Sequence, residues 1–319
     1  MNVANALGRF NRQLAANGRS VHTQAAYHRD LEALARWLQV PSSGKGGSPN
    51  LGKITPDWLA RFLTSDIVLL TPLGDPAEAG KPRSPMTVNR TKSALRSFFA
   101  FCVESGWIRE NPARLIRSSP ATPKEPTTLT EGEIGRLRAV LGQETGLVAD
   151  RDRLAFEVLL GTGIRLGSLV SLNVGDIDLK LGTLHIKAKG GRQERVFLNP
   201  LLARMLGRFL RKVAPSAAAG NGGPDVPLIR SIHGRRLGAR QVQLRFAKWC
   251  REAGISPTSD GQTRPVSVHS LRHTFATRLY NKTGDLHLVQ RGLGHRQITT
   301  TEIYARVSQD ALRSALAGM

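Results

Sequence analysis

Residues 152–165 read DRLAFEVLLGTGIR, an apolar run that ends at two glycines and is followed directly by an arginine. The leucine, phenylalanine and valine residues of Asp152–Gly161 predict a buried helix, and glycine is a common residue at a helix end. The sequence therefore presents Arg165 immediately after a core helix breaks. Taken alone, an arginine in such a place is more often a surface or capping residue than a functional one.

A second motif lies between two short segments of alternating apolar and polar residues, Thr183–Lys187 and Glu194–Leu198. They flank Gly190 and Gly191, and this pattern predicts a hairpin or a small three-stranded sheet. Lys189 stands at the tip of the predicted hairpin. A lone lysine in a glycine-rich turn is ordinarily a solvated turn residue.

Two further motifs and a tyrosine follow between residue 269 and the end of the chain. Residues 269–273 read HSLRH, which places His269 and Arg272 on one face if the segment is helical. Residues 293–295 read LGH, and Tyr304 follows His295 after nine residues. His269 and His273 have zinc-ligand spacing, but the metalloprotease pattern requires a glutamate directly after the first histidine, so no metal site is predicted.

The remaining sequence predicts a mainly α-helical fold with one small sheet. Amphipathic spacing predicts a helix from Ser20, a second near Thr55 and a third over Ser84–Glu104, separated by loops at Pro41–Gly52 and Thr71–Pro85. Further helices are predicted from Thr130 and at Pro200–Val213, Ala239–Ala253, His269–Tyr280, Asp285–Gly292 and from Thr299 onward. Thr130 with Glu133 three residues later is a capping-box pattern.

Three prolines in Arg117–Thr128 indicate a semi-extended linker between two domains. We therefore expect a helical N-terminal domain over 1–118, a linker over 119–126, and a mostly helical C-terminal domain with the small sheet over 127–319.

The composition points to a polyanionic partner. The 319 residues include 46 Lys and Arg against 24 Asp and Glu, a net charge of +22, and an apolar fraction of 40% excludes a basic disordered tail. The parts before and after residue 118 carry net charges of +8 and +14, which favours a clamp on nucleic acid over a single patch of positive charge.

The two cysteines, Cys102 and Cys250, are expected to be buried packing residues of a protein in a reducing compartment. The absence of an apolar membrane span or signal peptide predicts a cytoplasmic location.

In order and separation, these motifs resemble those of the tyrosine site-specific recombinases, the family of the lambda-type integrases and the Xer recombinases. The likeness covers Gly161–Leu169, Lys189–Arg195, His269–Arg272, Leu293–His295 and Thr300–Tyr304. It extends over the N-terminal domain, where Thr23, Tyr27, Leu31 and then Asn111 and Pro112 are similar to the family's core-binding domain. One motif alone is weak, whereas five in order are specific.

The resemblance implies a role for each of six residues in breaking and rejoining DNA. Tyr304 is implied as the nucleophile that forms a 3′-phosphotyrosine, and Lys189 as the general acid for the leaving 5′ oxygen. The other four would act on the scissile phosphate and on the proton of the nucleophile: Arg165 and Arg272 as phosphate ligands, His269 as the base, and His295 as a hydrogen-bond donor. No cofactor or metal is implied.

The same resemblance implies double-stranded DNA with a specific core site as the substrate, and a tetramer of recombinase protomers on two DNA sites that proceeds through a Holliday junction. An activating protein is a further possible partner. A layout close to that of Xer recombinases favours chromosome or plasmid dimer resolution, while a compact mobile-element integrase stays open.

Two alternatives from other classes also stay open, a type IB topoisomerase and an inactive DNA-binding accessory protein. The one departure that favours the latter is Ser168, because the family often has an acidic residue three positions after the first arginine.

Overall fold

The computed structural model describes residues 1–39, 50–71, 80–120, 126–187, 193–213, 224–255, 258–259, 262–263 and 266–294. The chain divides into two compact units, Met1–Pro123 and Lys124–Met319, called here the N-terminal and C-terminal units. The division lies within the proline-rich segment Arg117–Thr128. Most described residues are helical, which confirms the mainly α fold with a small sheet.

The described part of the N-terminal unit consists of short and medium helices joined by turns. Its α-helices are α1 (Val3–Ala16), α2 (Val21–Gln39), α3 (Pro56–Leu63), α4 (Asp66–Leu69) and α5 (Pro85–Glu104), with a 3₁₀ helix at Leu51–Lys53. Thr55 and Ser84 cap the helices that begin at Pro56 and Pro85, and proline suits the first helical position because it lacks an N–H to be satisfied.

The core of this unit forms where α1, α2 and α5 pack against one another. Phe10, Phe98 and Phe99 lie at its centre with leucines from α2, and the rings of Phe98 and Phe99 meet edge to face at 5.1 Å. Cys102 is buried in the same cluster, as predicted.

The described part of the C-terminal unit contains seven α-helices and two small antiparallel sheets. The helices are α6 (Glu131–Gln143), α7 (Leu147–Thr162), α8 (Leu166–Ser171), α9 (Pro200–Val213), α10 (Ala239–Glu252), α11 (Val268–Thr283) and α12 (Leu286–Leu293). The strands are β1 (Ile177–Asp178), β2 (Thr183–Lys187), β3 (Gln193–Phe197), β4 (Thr258–Ser259) and β5 (Gln262–Thr263). A 3₁₀ helix, Val174–Asp176, precedes β1.

Helix α7 runs through the core of this unit and contacts α6, α8, α9 and α11. Ten of its sixteen residues are buried, because it is surrounded by other elements and does not lie at the surface. The strand order is β1-β2-β3, and β2 pairs with β3 in a register that sets Ile186 opposite Glu194. Helix α8, which follows α7, contacts β2.

The structure also differs from the sequence predictions in several elements. Helices α1 and α8 were not predicted, the helix expected from Asp152 begins at Leu147, and the predicted loop at Pro41–Gly52 ends within the 3₁₀ helix. The strand expected at Glu194–Leu198 is Gln193–Phe197. The helix predicted from Thr299 onward lies outside the described residues.

Candidate active site

Arg272 joins two of the predicted motifs in one hydrogen-bonded cluster. It lies in the second turn of α11 and is only 4% exposed. Its guanidinium donates from Nη1 to the carbonyl oxygen of Gly163 and from Nη2 to that of Leu293, the latter at 2.7 Å. A single side chain therefore holds the end of α7 and the end of α12 together.

Gly163 allows this approach because it has no side chain. It ends α7 in the left-handed conformation, with φ of 64°, and a Cβ at this position would overlap the ring of Phe275 on α11. Both the backbone angle and the close packing therefore require glycine. Helix α7 ends at this residue, and Arg165 follows two residues later.

Arg165 projects from the break into solvent. It is the N-terminal flanking residue of α8, with an extended backbone, and its side chain is exposed. Its backbone carbonyl accepts a hydrogen bond from the N–H of Leu169 at 3.0 Å, but its side chain has no hydrogen bond or ion pair within the described part of the chain. The guanidinium therefore keeps its donors for an external anion.

His269 lies next to both arginines in the first turn of α11. Ser267 caps this helix by accepting a hydrogen bond from the N–H of His269 at 3.2 Å. Although the side chain is exposed on one side, partial loss of water around the imidazole lowers the pKa of His269 below 6.5, and Arg272 and then Arg165 lower it further. The ring is therefore neutral at pH 7 and can accept a proton.

His273 packs one turn further along the same helix. Its ring lies nearly perpendicular to that of His269, with ring centroids 4.7 Å apart. Burial, and then the charges of His269 and Arg272, lower the pKa of His273 to about 4. The second imidazole is thus a neutral packing partner of the first.

Sequence reasoning did not identify Glu194 as part of this site. It lies on β3, and its carboxylate approaches Gly294 of the LGH motif so closely that a Cβ built there would lie 2.5 Å from Oε2. Glu194 belongs to the Lys189–Arg195 motif that was recognised in the sequence. Its approach to Gly294 depends on how the chain folds, so the motif alone did not reveal it.

The structure brings together Arg165, His269 and Arg272 of the six predicted residues. The other three, Lys189, His295 and Tyr304, lie outside the described residues.

At position 168 the serine is half-buried, and its carbonyl accepts a hydrogen bond from the Ser171 hydroxyl at 2.8 Å. The position expected to carry a carboxylate therefore carries none.

The described segments contain no group of three or more histidine, cysteine or carboxylate side chains placed to hold a metal ion. Within the same segments, no helix is long and apolar enough to cross a membrane.

Comparison with known proteins identifies relatives across nearly the whole chain. Residues 128–310 match the phage integrase family. The tyrosine recombinase XerD of Xanthomonas axonopodis pv. citri is 32% identical over 318 residues, which cover 97% of this chain and 95% of that protein. The tyrosine recombinase XerC of Vibrio parahaemolyticus is 30% identical over 298 residues, covering 93% and 86%.

Solved structures share the fold. A lambda integrase dimer bound to a COC′ core site superposes with a TM-score of 0.67 at 23% identity, covering 94% of this chain and 97% of that one. The recombinase XerH bound to difH substrate gives a TM-score of 0.67 at 22% identity, covering 98% and 84%. The fold is therefore that of lambda integrase.

The relatives favour site-specific recombination over the topoisomerase and accessory-protein alternatives. The chain belongs to the phage integrase family and is a tyrosine recombinase that resembles the Xer proteins.

Proposed function

We propose that this tyrosine recombinase cuts and rejoins duplex DNA through a covalent 3′-phosphotyrosine at Tyr304. The observation that carries the proposal is the cluster of Arg272, Arg165 and His269 around the break after α7. It combines two guanidiniums, one neutral imidazole and open solvent on one side, which is the set of groups that a phosphodiester requires.

The arginines act on the phosphate. When a phenol attacks a phosphodiester, negative charge increases on the non-bridging oxygens, and guanidiniums bind such oxygens through paired N–H donors without losing a proton. Arg165 offers its donors from the surface, while Arg272 is fixed in place by two carbonyls. A ligand that is already fixed costs little reorganisation in the transition state.

The base must overcome the weak acidity of tyrosine. With an ordinary pKa near 10, only about one tyrosine in a thousand is ionised at pH 7, a deficit of about 4 kcal/mol. His269 is neutral at that pH, so it can take the phenolic proton, and the neighbouring arginines favour the phenolate.

The leaving oxygen needs a proton, and Lys189, in the segment of the sequence between β2 and β3, is the proposed donor. The strands of the hairpin pair from Thr183–Phe197 to Lys187–Gln193, directly beside Lys189 in the sequence. The proposed role of His295 is to donate a hydrogen bond to the phosphate in the transition state.

In the rejoining step, the freed 5′-hydroxyl of a partner strand attacks the phosphotyrosine and releases Tyr304. The energy of the phosphodiester bond is kept in the covalent intermediate, so no ATP is consumed.

The proposed substrate is double-stranded DNA with a specific core site, bound by residues 1–118 and cut by residues 127–319. The N-terminal unit carries a groove of about 700 Å³ with an excess of positive charge suited to phosphates. The charged residues of its lining are Arg29, Arg36, Arg83 and Arg90 against Asp30 and Asp66. Recombination then requires a homo- or hetero-tetramer on two sites and a Holliday junction, and the proposed location is the cytoplasm, with the nucleoid.

Within this proposal, resolution of chromosome or plasmid dimers is favoured by the near full-length likeness to XerC and XerD proteins. A compact mobile-element integrase is the second candidate. Mapping the genomic DNA bound by the protein in its host distinguishes them: a single chromosomal or plasmid site supports the first, and the ends of a mobile element support the second.

The reaction is tested with a nicked suicide substrate. Cleavage releases a short fragment that diffuses away, and the covalent intermediate accumulates because no 5′-hydroxyl remains to reverse the reaction. The wild-type protein should form a covalent adduct with cognate DNA, and Tyr304→Phe should form none while binding DNA equally well. Tyr280→Phe is the matched control, since Tyr280 lies in α11 and lies outside the proposed chemistry. Failure of the wild type to form an adduct on genomic sites that it binds contradicts the proposal, and relaxation of supercoiled plasmid by monomers favours the topoisomerase alternative.

A further inference from the structure

After helix α5 ends, the chain turns back and runs along the same helix toward its N-terminal end. The N–H of Trp107 bonds to the carbonyl of Cys102 at 3.0 Å, and Ala113 is fully buried. Ile116 then packs against the core of the N-terminal unit. Residues 117–120 are exposed and belong to no helix or strand, so burial does not hold them in place.

Three polar side chains on one face of α5 hold this returning segment. Arg96 donates from Nη1 to the carbonyl of Ile116 at 2.9 Å, and Lys92 donates from Nζ to the hydroxyl of Ser119 at 2.7 Å. Asn89 donates to the carbonyl of Ser119 and accepts from its N–H, each at 2.8 Å. Residues three and four positions apart share a helix face. These three side chains are called here the α5 clasp.

The α5 clasp lies apart from the core face of its helix. Leu95, Phe98 and Phe99 are fully buried, whereas the clasp residues are half-buried. Neither Lys92 nor Arg96 has a carboxylate partner among the residues that the structure describes, so both cations bind neutral oxygens of the returning segment. Hydrogen bonds between partly exposed groups exchange with water, so the segment can open while the unit stays folded. The clasp therefore fixes the path of the chain more than the fold of the unit.

The chain is anchored again where the C-terminal unit begins. The N–H of Leu129, a residue 5% exposed, donates to the hydroxyl of Thr274 at 2.8 Å. Residues 120–128 join this anchor to Ser119, and their three prolines favour an extended, semi-rigid spacer. Such a spacer keeps a fixed starting direction only when its end is held. The α5 clasp holds the end at Ser119.

We propose that Asn89, Lys92 and Arg96 are positioning residues that set where the linker leaves the N-terminal unit, so that both units bind one DNA duplex together. The inference rests on the proposed function, in which both units bind the same DNA. When two binding units are joined, the second binds at an effective concentration set by the length and stiffness of the joining chain. Opening the clasp lengthens that chain from residues 120–128 to residues 114–128, which lowers the effective concentration.

Asn89→Ala removes both hydrogen bonds to the backbone of Ser119 without a change of charge. We expect trypsin to cut after the exposed Arg117 at least fivefold faster than in wild type, because the open state is more populated. Mass spectrometry of the fragment that ends at Arg117 measures this rate without DNA. The melting temperature should be unchanged or slightly higher, since alanine favours the helix.

The same variant should bind DNA more weakly and still react normally once bound. Its affinity for a duplex with one mapped genomic site should fall about three- to fivefold. The rate of adduct formation at saturating nicked DNA should stay within twofold, because the catalytic groups are untouched. Ser97→Ala is the matched control: Ser97 lies on α5 outside the clasp, and its loss should leave trypsin cutting and affinity within twofold.

A double variant, Asn89→Cys with Ser119→Cys, separates the clasp from a direct contact of Asn89 with DNA. The two native cysteines, Cys102 and Cys250, are buried, so the introduced pair is the accessible one. Reduced protein should bind DNA as weakly as Asn89→Ala. Oxidised protein, in which a disulfide replaces the clasp, should regain wild-type affinity and resist trypsin at Arg117.

Four results overturn the inference. They are trypsin cutting of Asn89→Ala within twofold of wild type, DNA affinity within twofold despite faster cutting, a cysteine pair that does not oxidise, and an oxidised protein that still binds weakly, which assigns Asn89 to the DNA itself. A wild-type protein that forms no adduct fails the proposed chemistry. That failure is distinct, because trypsin cutting and DNA affinity are measured without cleavage of DNA.

Discussion

A buried arginine lies near each end of helix α7, Arg151 from α7 itself and Arg272 from α11. The two side chains have different hydrogen-bond partners. At the N-terminal end Arg151, 6% exposed, donates to the carboxylate of Asp152 from Nε at 2.9 Å and from Nη2 at 2.7 Å. Arg245 from α10 binds the other oxygen of the same carboxylate. At the C-terminal end Arg272, 4% exposed, donates to the carbonyls of Gly163 and Leu293.

The difference is that Arg151 is ion-paired to a carboxylate and also donates to the carbonyl of Arg230 at 2.8 Å, whereas Arg272 donates to carbonyls of two separate motifs. The carboxylate of Asp152 is shared by Arg151 and Arg245, so this end of the helix is a structural ion-pair cluster. At the other end, the carbonyl oxygens of Gly163 and Leu293 fix the guanidinium of Arg272 beside the break after α7. Arg165 beside it extends the same positive region to the surface.

The largest effect should come from removing the positive charge at the C-terminal end of α7. Arg272→Ala should slow adduct formation about 10³-fold, equivalent to about 4 kcal/mol, because it removes a prearranged ligand of the transition state. Arg165→Ala should slow it by about 10² to 10³-fold without changing stability, since the side chain is exposed. Both variants should bind DNA within a few fold of wild type, measured by fluorescence anisotropy.

Binding and cleavage that fall by the same factor would contradict this assignment, because ground-state and transition-state contacts would then be equally lost. Arg235→Ala removes an exposed arginine elsewhere in the C-terminal unit and provides the control for general loss of charge.

The next effect concerns the N-terminal end of the helix and should appear in stability. Asp152→Ala leaves Arg151 and part of Arg245 without their carboxylate, which should lower the free energy of unfolding of the C-terminal unit by about 3 to 5 kcal/mol. Urea denaturation followed by tryptophan fluorescence measures it through Trp249, which stacks beside Arg245 at 5.9 Å. At a temperature where the variant is folded, the rate of adduct formation should stay within about threefold.

Glu252→Ala provides the comparison, since its ion pair with Lys248 is exposed and screened by solvent, so its loss should leave the unfolding midpoint nearly unchanged. Loss of cleavage by the folded Asp152→Ala variant would contradict the assignment of a purely structural role to the N-terminal end of α7.

Much of this arrangement could be predicted from the sequence because its signals are local. The helix break at Gly163, the hairpin strands and the three-residue spacing of His269 and Arg272 are all patterns within a few residues. Helix α8 escaped prediction because six residues are too short to show periodicity. Helix α1 was missed although Val3, Ala6, Leu7, Phe10 and Leu14 give a clear helical pattern.

The contacts that give each arginine its function were not predictable in this way. Arg245 meets Asp152 across 93 positions of sequence, and Arg272 meets Gly163 across 109. Which oxygen faces a guanidinium depends on how the helices pack, and neither composition nor periodicity encodes it. The same reason explains why Glu194 belonged to a recognised motif while its approach to Gly294 did not follow from it.

The smallest effect tests whether Arg165 and His269 share one electrostatic environment. Because loss of water, Arg272 and Arg165 lower the pKa of His269, its neutral form persists as the pH falls below 6.5, and adduct formation should be lost only as the pH falls through that lowered pKa. Arg165→Ala removes one of the positive charges, so the pKa of His269 should rise toward its ordinary value, whereas Arg235→Ala should leave it unchanged. NMR titration of the imidazole protons, assigned with a His269→Gln variant, measures this directly. An unchanged pKa in Arg165→Ala would mean that the surface arginine does not act at the imidazole, and the two ends of α7 would then differ only through Arg272.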